Sequence, residues 1–398
     1  MVYLQRSERI AVDETYDLIV IGGGVAGVAA AVAGARRGQK TLLVEKSVLL
    51  GGLATLGYIA IYLPLCDGCG RRLIGGISEE LLWCSIRDSY GNLAACWRGR
   101  PAYAAPDGGR YRTTFNAPAF AAQLDQIVLN AGVDILFDTL LSGAVSEGGH
   151  ISHVILDNHD GRTAYTAKAY IDATGDALLS YLAGAPTKSG KNYLCYWSYY
   201  TDEDSIAQAA AQKDVSKAVK MFMWGDCNGT SQPDDMPLVS GTGANEITRF
   251  VLRGRAQTLE ILRARGAKQF SFTGLPAMPQ LRTSRMTIGD YALAYADAGK
   301  PFSDSVGCCG DWRTPGTAFE LPYRILTIPR FDNLLSAGRN LSNADAEAWE
   351  VTRVIPVAAE TGEAAGIAAA LAAGGDVHAV DVAALQREMS AGGTVIHL

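Results

Sequence analysis

Residues 16–27 read YDLIVIGGGVAG, and the stretch after them, VAAAVAGARRG, is small and helix-forming. An apolar run, then Gly22, Gly24 and Gly27, then an Ala-rich stretch predict a strand, a tight turn and a helix in that order. Each glycine has its own reason. Gly22 permits the turn, Gly24 lets the backbone approach a pyrophosphate with no Cβ in the way, and Gly27 lets the helix pack close to the strand. The helix start then offers free N–H groups and the positive end of its dipole to phosphates. The next apolar run, TLLVE, ends at Glu45. A carboxylate there binds ribose hydroxyls and repels a 2′-phosphate, which makes NADP the least favoured ligand. The strand, the helix and the acid together set this loop apart from a glycine-rich turn that holds no nucleotide.

A chain of 398 residues is long enough for a large core and two intertwined domains. Its 48% hydrophobic and 19% charged residues are those of an ordinary globular protein. A formal net charge of −6, with no run of Lys and Arg, argues against a nucleic-acid partner. The N-terminus lacks an apolar signal segment and no stretch reaches the length of a membrane span, so a cytoplasmic protein without a membrane partner is expected. Eight cysteines are then thiols by default. The pair Cys66 and Cys69 in CDGC could be a redox dithiol or half of a metal site. No second CxxC supplies further ligands, which favours two ordinary loop cysteines and no metal.

Farther along, GISEELLWCSI predicts a short helix within an irregular region, residues 58–115. NAPAFAAQLDQIVLNAG predicts another, capped by Asn116, with Pro118 in its first turn and Gly132 as terminator. Residues 133–158 alternate apolar and polar about an EGGH turn, the pattern of a β-hairpin. AKAYIDATGDALLSYLAG returns to strand, glycine turn and helix. GTGANE at 241–246 imitates a second glycine fingerprint, but Glu replaces its last glycine and no strand precedes it. It is expected to be a loop and helix start capped by Thr242 or Asn245, which leaves a single dinucleotide site.

The ordered set GGGVAG, Glu45, GGLAT, IDATGD and NLLSAGRN resembles the FAD-dependent oxidoreductases of the glutathione-reductase-like superfamily. More narrowly, it looks like a subgroup in which a "GG-apolar-AT" element follows the second strand. LRTSRMTIGDYAL, LPYRIL and TRVIPVAAETGEAAGIAAAL extend the likeness over nearly the whole chain. The resemblance implies an α/β fold: a Rossmann-like FAD-binding domain with a central parallel sheet, helices on one face and a β-meander on the other. An inserted α+β substrate domain completes it. The FAD domain would comprise residues 1–57, 116–186 and 325–398, and the substrate region residues 58–115 and 187–324.

FAD rather than NAD is the implied cofactor. By the same resemblance Gly22, Gly24, Val25, Ala26, Gly27, Glu45 and Lys46 serve its ADP half. Gly51, Gly52, Leu53, Ala54 and Thr55 pass along the pyrophosphate and ribityl chain, and Leu141 lies near the adenine. Ala173, Thr174, Gly175 and Asp176 form the turn at the next strand end, while Gly338, Arg339 and Asn340 bring the C-terminal strand to the pyrophosphate. The helix beginning near Pro356, with Ile355 at its start, would aim its N-terminus at the flavin pyrimidine ring, where a reduced flavin gathers negative charge.

Catalytic candidates are fewer. None of the five histidines lies in a block that reaches the flavin. Tyr323, Arg324 and Arg353 remain, since Arg can fix a substrate carboxylate or carbonyl and Tyr can move a proton. Against this, either arginine could be a structural ion pair with Asp345, Glu347 or Glu350. The aromatic stretch YLCYWSYY (193–200) could stack on a ligand, though Tyr193 and Trp197 fit a strand buried on both sides slightly better. The expected activity is hydride transfer between a C–H centre of a small polar organic substrate and FAD. An electron-transfer flavoprotein subunit and a CxxC dithiol reductase are the alternatives. The electron acceptor and any homo-oligomer are left open.

Overall fold

The apolar run before the glycines is the last part of strand β1 (Ala11–Ile21). Its side chains alternate between two cores: Leu18 and Val20 join one buried cluster, Ile19 and Ile21 the other. A strand covered on both faces loses the polar alternation of a surface strand, which is why this one reads as continuous apolar sequence. The computed structural model describes residues 7–88, 112–225 and 232–398, so Cys96, Cys227 and residues 89–111 of the irregular region lie outside the described residues.

β1 pairs in parallel with β2 (Thr41–Val44) on one side and β8 (Gly161–Asp172) on the other. β5 (Asp134–Leu136) extends the sheet in parallel beyond β2, and β16 (Leu334–Ser336) pairs in parallel with the end of β8. The hairpin expected about EGGH is β6 (Leu140–Glu147) with β7 (His150–Asn158), and β7 continues antiparallel into β8 to make a meander. Ile151, Val154 and Leu156 of this meander cover one face of the sheet. Helices α1 (Val25–Ala35) and α8 (Ile355–Ala372) cover the other.

Those two helices touch through small residues. A Cβ on Gly362 would fall 2.2 Å from the Ala26 carbonyl oxygen, and one on Gly366 2.3 Å from that of Ala30. The Ala- and Gly-rich composition of both segments is therefore a packing requirement. α2 (Gly76–Arg87), α3 (Ala117–Asn130) and the hairpin of β14 (Ser305–Gly310) and β15 (Ala318–Pro322) share this core, as does Tyr62 of β3 (Ile61–Tyr62), which pairs antiparallel with β4 (Thr113–Thr114). α3 begins as expected, with the Asn116 side chain accepting from the Ala119 N–H and Pro118 in the first turn.

A separate three-stranded antiparallel sheet, in the order β11 (Lys220–Gly225), β10 (Cys195–Asp202), β12 (Phe270–Gly274), stands beyond the core. α5 (Glu203–Gln212) and the long α6 (Ala244–Arg265) accompany it. α4 (Leu178–Leu182) leads from the main sheet into β9 (Thr187–Ser189), which pairs with β13 (Arg285–Thr287). α7 (Ala346–Thr352) precedes α8, and α9 (Val382–Ala391) packs on it. GTGANE is a loop and helix start, but neither Thr242 nor Asn245 caps it. Gly243 is the N-cap, and the Glu246 carboxylate accepts the Ser240, Thr242 and Gly243 N–H groups. Tyr193 precedes β10 and is 38% exposed, so it is not a core residue. Among the described residues no single helix is long and apolar enough to cross a membrane.

Candidate functional site

Two glycine loops meet above the carboxyl end of the parallel sheet. At Gly22 the chain takes φ +103°, and a Cβ would sit 2.5 Å from the Ala173 carbonyl oxygen at the end of β8. A Cβ on Gly27 would lie 1.8 Å from the Gly22 oxygen, so α1 starts directly against the turn. The second loop crosses the first, with Gly51 N–H donating to the Gly23 oxygen at 2.8 Å. Thr55 closes that loop by donating its hydroxyl to the Leu50 carbonyl at 2.6 Å.

Gly24 differs from these. Its backbone is ordinary extended chain (φ −66°, ψ 178°), and a Cβ there would meet no protein atom within 4 Å. Nothing in the fold demands glycine at this position, and the open space lies on a cleft. α1 begins at that point with no side-chain cap and no acid in its first turn, which leaves its first N–H groups for an anion.

Glu45 sits in the cleft wall and holds the first loop together. Its carboxylate accepts the Gly23 N–H at 2.7 Å and the Ser47 N–H at 2.8 Å. Asp172, which sequence reasoning passed over, has the corresponding role at the end of β8. It is buried and accepts from the N–H and hydroxyl of both Thr174 and Ser180. Burial pushes its carboxyl up from the ordinary value, while these four hydrogen bonds oppose that shift. An acid inside the apolar run AYID was the signal for it, because a buried carboxylate needs several donors.

Of the cofactor residues expected from sequence, Gly22, Gly24, Val25, Ala26, Glu45, Lys46, Gly51, Gly52, Leu53, Ala54, Leu141, Ala173, Thr174, Gly175, Asp176, Arg339 and Ile355 line this cleft. Gly27, Thr55, Gly338 and Asn340 do not; they brace it from behind. Asn340 donates to the Asp172 carbonyl and the Ser336 hydroxyl, tying the end of β16 to that of β8. Gly338, at φ +84°, has room for no more than hydrogen, since a Cβ would lie 2.7 Å from the Ala26 methyl. Thr139 and Met278 also line the cleft and carried no motif.

A second cavity of about 720 Å³ adjoins the first, and Leu53, Ala54, Arg339, Arg353 and Ile355 line both. The N-terminus of α8 opens at this junction, with Val354 as N-cap, no capping side chain and no acid in its first turn. Ile355 is the first helical residue and Pro356 the second. Arg353 ion-pairs with Glu350 through one guanidinium nitrogen, while its buried Nε has no hydrogen-bond partner. Burial, with Arg282 close by, holds the Arg353 guanidinium below its usual range. Arg339 donates to the Leu281 carbonyl at 2.9 Å and the Ser284 hydroxyl at 3.0 Å, and burial brings it down to about 10. Asp176 faces the first cleft with a buried Oδ1 that has no partner.

The structure turns the other two catalytic candidates away from both cavities. Tyr323 is buried and donates its hydroxyl to the Val377 carbonyl at 2.8 Å. Arg324 pairs with Asp304 at 2.8 Å, a partner other than those weighed from sequence. Trp197 lines the second cavity. No histidine lines either cavity. Cys66 is buried and Cys69 exposed, neither is in a disulfide, and neither lines a cavity wall. Among the described residues no group of His, Cys, Asp and Glu could hold a metal.

The sequence pattern of a family described as FAD dependent oxidoreductase matches residues 17–196 and 196–389. Over 87 residues, 22% of this chain, the sequence is 33% identical to 3-oxosteroid 1-dehydrogenase of Comamonas testosteroni, a match that spans 14% of that relative's length. Similar solved structures include a geranylgeranyl bacteriochlorophyll reductase-like protein of Thermoplasma acidophilum, with a TM-score of 0.46 and 16% identity, covering 94% of this chain and 81% of that one. The 3-ketosteroid-Δ4-(5α)-dehydrogenase of Rhodococcus jostii RHA1 gives a TM-score of 0.42 and 14% identity over 90% of this chain and 98% of the other.

Proposed function

Because the chain belongs to the family of FAD-dependent oxidoreductases, we propose that it transfers a hydride between a C–H centre of a small organic substrate and FAD. The first cleft holds the cofactor and the second cavity admits the substrate. The observation that carries this reading is the wall common to both cavities, formed by Leu53, Ala54, Arg339, Arg353 and Ile355. A reaction between two bound molecules needs such a junction.

The residues of the first cleft fit FAD. Gly24 leaves space that only a ligand would fill, the start of α1 presents unpaired N–H groups beside it, and Glu45 stands at the end of β2 for ribose hydroxyls. Bound FAD supplies a ring that accepts or returns a hydride. The chain supplies binding, orientation and charge. At the junction the uncapped start of α8 and the Arg353 guanidinium place positive charge where negative charge develops as a hydride moves. The apolar wall of Leu53, Ile59, Ile61, Leu63 and Val354 excludes water from that place. Tyr323 and Arg324 have no part in it.

Anaerobic mixing of the FAD-loaded protein with hydroxy acids, amines, sugars and enoates, each followed by flavin bleaching or its reversal from the reduced state, tests the proposal. One compound class that exchanges electrons with the flavin in single turnover supports it. A flavin that responds only to a protein redox partner would replace it with an electron-carrier role.

A further inference from the structure

The second cavity has a composition that hydride transfer alone does not require. Its walls are apolar and aromatic, with Trp197, Trp312, Met221 and Met223 among the lining side chains, yet four arginines of the described residues line it: Arg112, Arg282, Arg339 and Arg353. Among the described residues no Asp or Glu lines it. A guanidinium that loses water needs an anion or several acceptors. Arg353 has Glu350, and Arg339 has two neutral oxygens with Asp176 nearby.

Arg282 has no acidic partner among the described residues. Its guanidinium stacks on the Trp197 ring, 5.5 Å from the ring centre. Like charge reaches it from Arg339 and Arg353. A stack on Trp orients the planar fork and leaves its N–H edge to bind something else. Arg339 and Arg353 also border the cofactor cleft, so charge on FAD could account for them. Arg282 borders the second cavity alone, and its charge calls for an anion on the substrate.

We infer that the substrate is an organic carboxylate on a flat, largely apolar body. The Arg282 fork takes the carboxylate and the tryptophans and methionines hold the body. A cavity of about 720 Å³ suits a molecule of two or three fused rings better than a short hydroxy acid. Aromatic and thioether side chains give ring systems broad contact without polar demands. Arg112, exposed at the rim, adds positive charge that draws an anion in. The inference rests on the second cavity being the substrate site, and its apolar body departs from the small polar substrate expected from sequence.

Calorimetric titration of the FAD-loaded protein, with the flavin oxidised and no turnover, tests the substrate class apart from the reaction. The probes are naphthoate, the neutral isostere naphthamide, and acetate. Naphthoate is expected to bind about ten- to a hundred-fold more tightly than naphthamide, the range for a charge-assisted pair. Acetate, with charge and no ring, is expected to bind far more weakly still. Arg282→Met is expected to remove the preference for naphthoate and leave naphthamide affinity unchanged, and Arg282→Lys to restore it in part. Equal affinity for naphthoate and naphthamide in the parent protein overturns the inference even if the Arg282 variants fail to fold. So does acetate binding as tightly as naphthoate, or a naphthoate preference that survives in folded Arg282→Met. Failure in these titrations would leave the hydride-transfer proposal to its own anaerobic test, and the reverse holds as well.

Discussion

At the scale of single residues, Arg353 has two claims on it. Its pairing with Glu350 is a structural bond, and its unpartnered Nε at the junction of the cavities is free to hold a substrate oxygen. Removing one preorganised donor of this kind lowers a chemical step by roughly a hundred- to a thousand-fold. Arg353→Ala is therefore expected to stay yellow and folded while slowing single-turnover flavin reduction by about that factor. A lower melting temperature with an unchanged rate per folded molecule would assign the residue to structure alone. The same scale shows where sequence reading stops. Tyr323 and Arg324 have the right chemistry in LPYRIL, but the turn after β15 sends one to the Val377 carbonyl and the other to Asp304. Arg282 lies in LRTSRMTIGDYAL with no local feature of sequence to set it apart.

At the scale of elements, two glycines of one motif separate ligand space from packing. The Gly24 position is ordinary in backbone and open to the cleft, whereas a Cβ on Gly27 would strike the Gly22 oxygen at 1.8 Å. Gly24→Val is expected to leave the thermal stability of FAD-free protein nearly unchanged and to weaken FAD binding roughly ten- to a hundred-fold, the cost of displacing a closely fitted ligand. Gly27→Ala is expected to destabilise the FAD-free fold itself by about 1–3 kcal/mol. Thermal unfolding without cofactor, beside an FAD titration, checks both, and identical behaviour of the two variants would remove the distinction. The cofactor cleft was readable because its parts are short backbone motifs at strand ends: GGGVAG, GGLAT and IDATGD. Gly338 and Asn340 came from an equally clear motif, yet the fold uses them as bracing, since tight packing against α1 and β8 leaves them no opening. The second cavity left no such trace. Its walls come from residues as far apart as Ile59, Trp197, Arg282 and Trp312, which only the folded chain brings together.

At the scale of the whole molecule, α8 ties the cofactor cleft to the C-terminal end of the described chain through Glu363. Its buried carboxylate accepts the Ile77 N–H at the start of α2 and the Thr394 hydroxyl, and burial pushes it up to about 7. A carboxyl that holds its proton in the folded state after the unfolded chain has released it makes stability fall as pH rises. The window runs from the ordinary value of 4.5 to about 7 and amounts to a loss on the order of 3 kcal/mol. Glu363→Gln, which keeps an acceptor without a titrating proton, is expected to flatten that part of the stability profile. Denaturant unfolding on either side of the window measures it, and parallel profiles for parent and variant would contradict the assignment. The parallel sheet, the meander on one face and the α1/α8 pair on the other exist in this account to hold one cofactor beside one cavity. Acid extraction of the purified protein, with mass identification and quantification of the released chromophore, tests that most directly. FAD is expected at one molecule per folded chain. Recovery of NAD or FMN instead, or a colourless protein that added FAD cannot reconstitute, would contradict it.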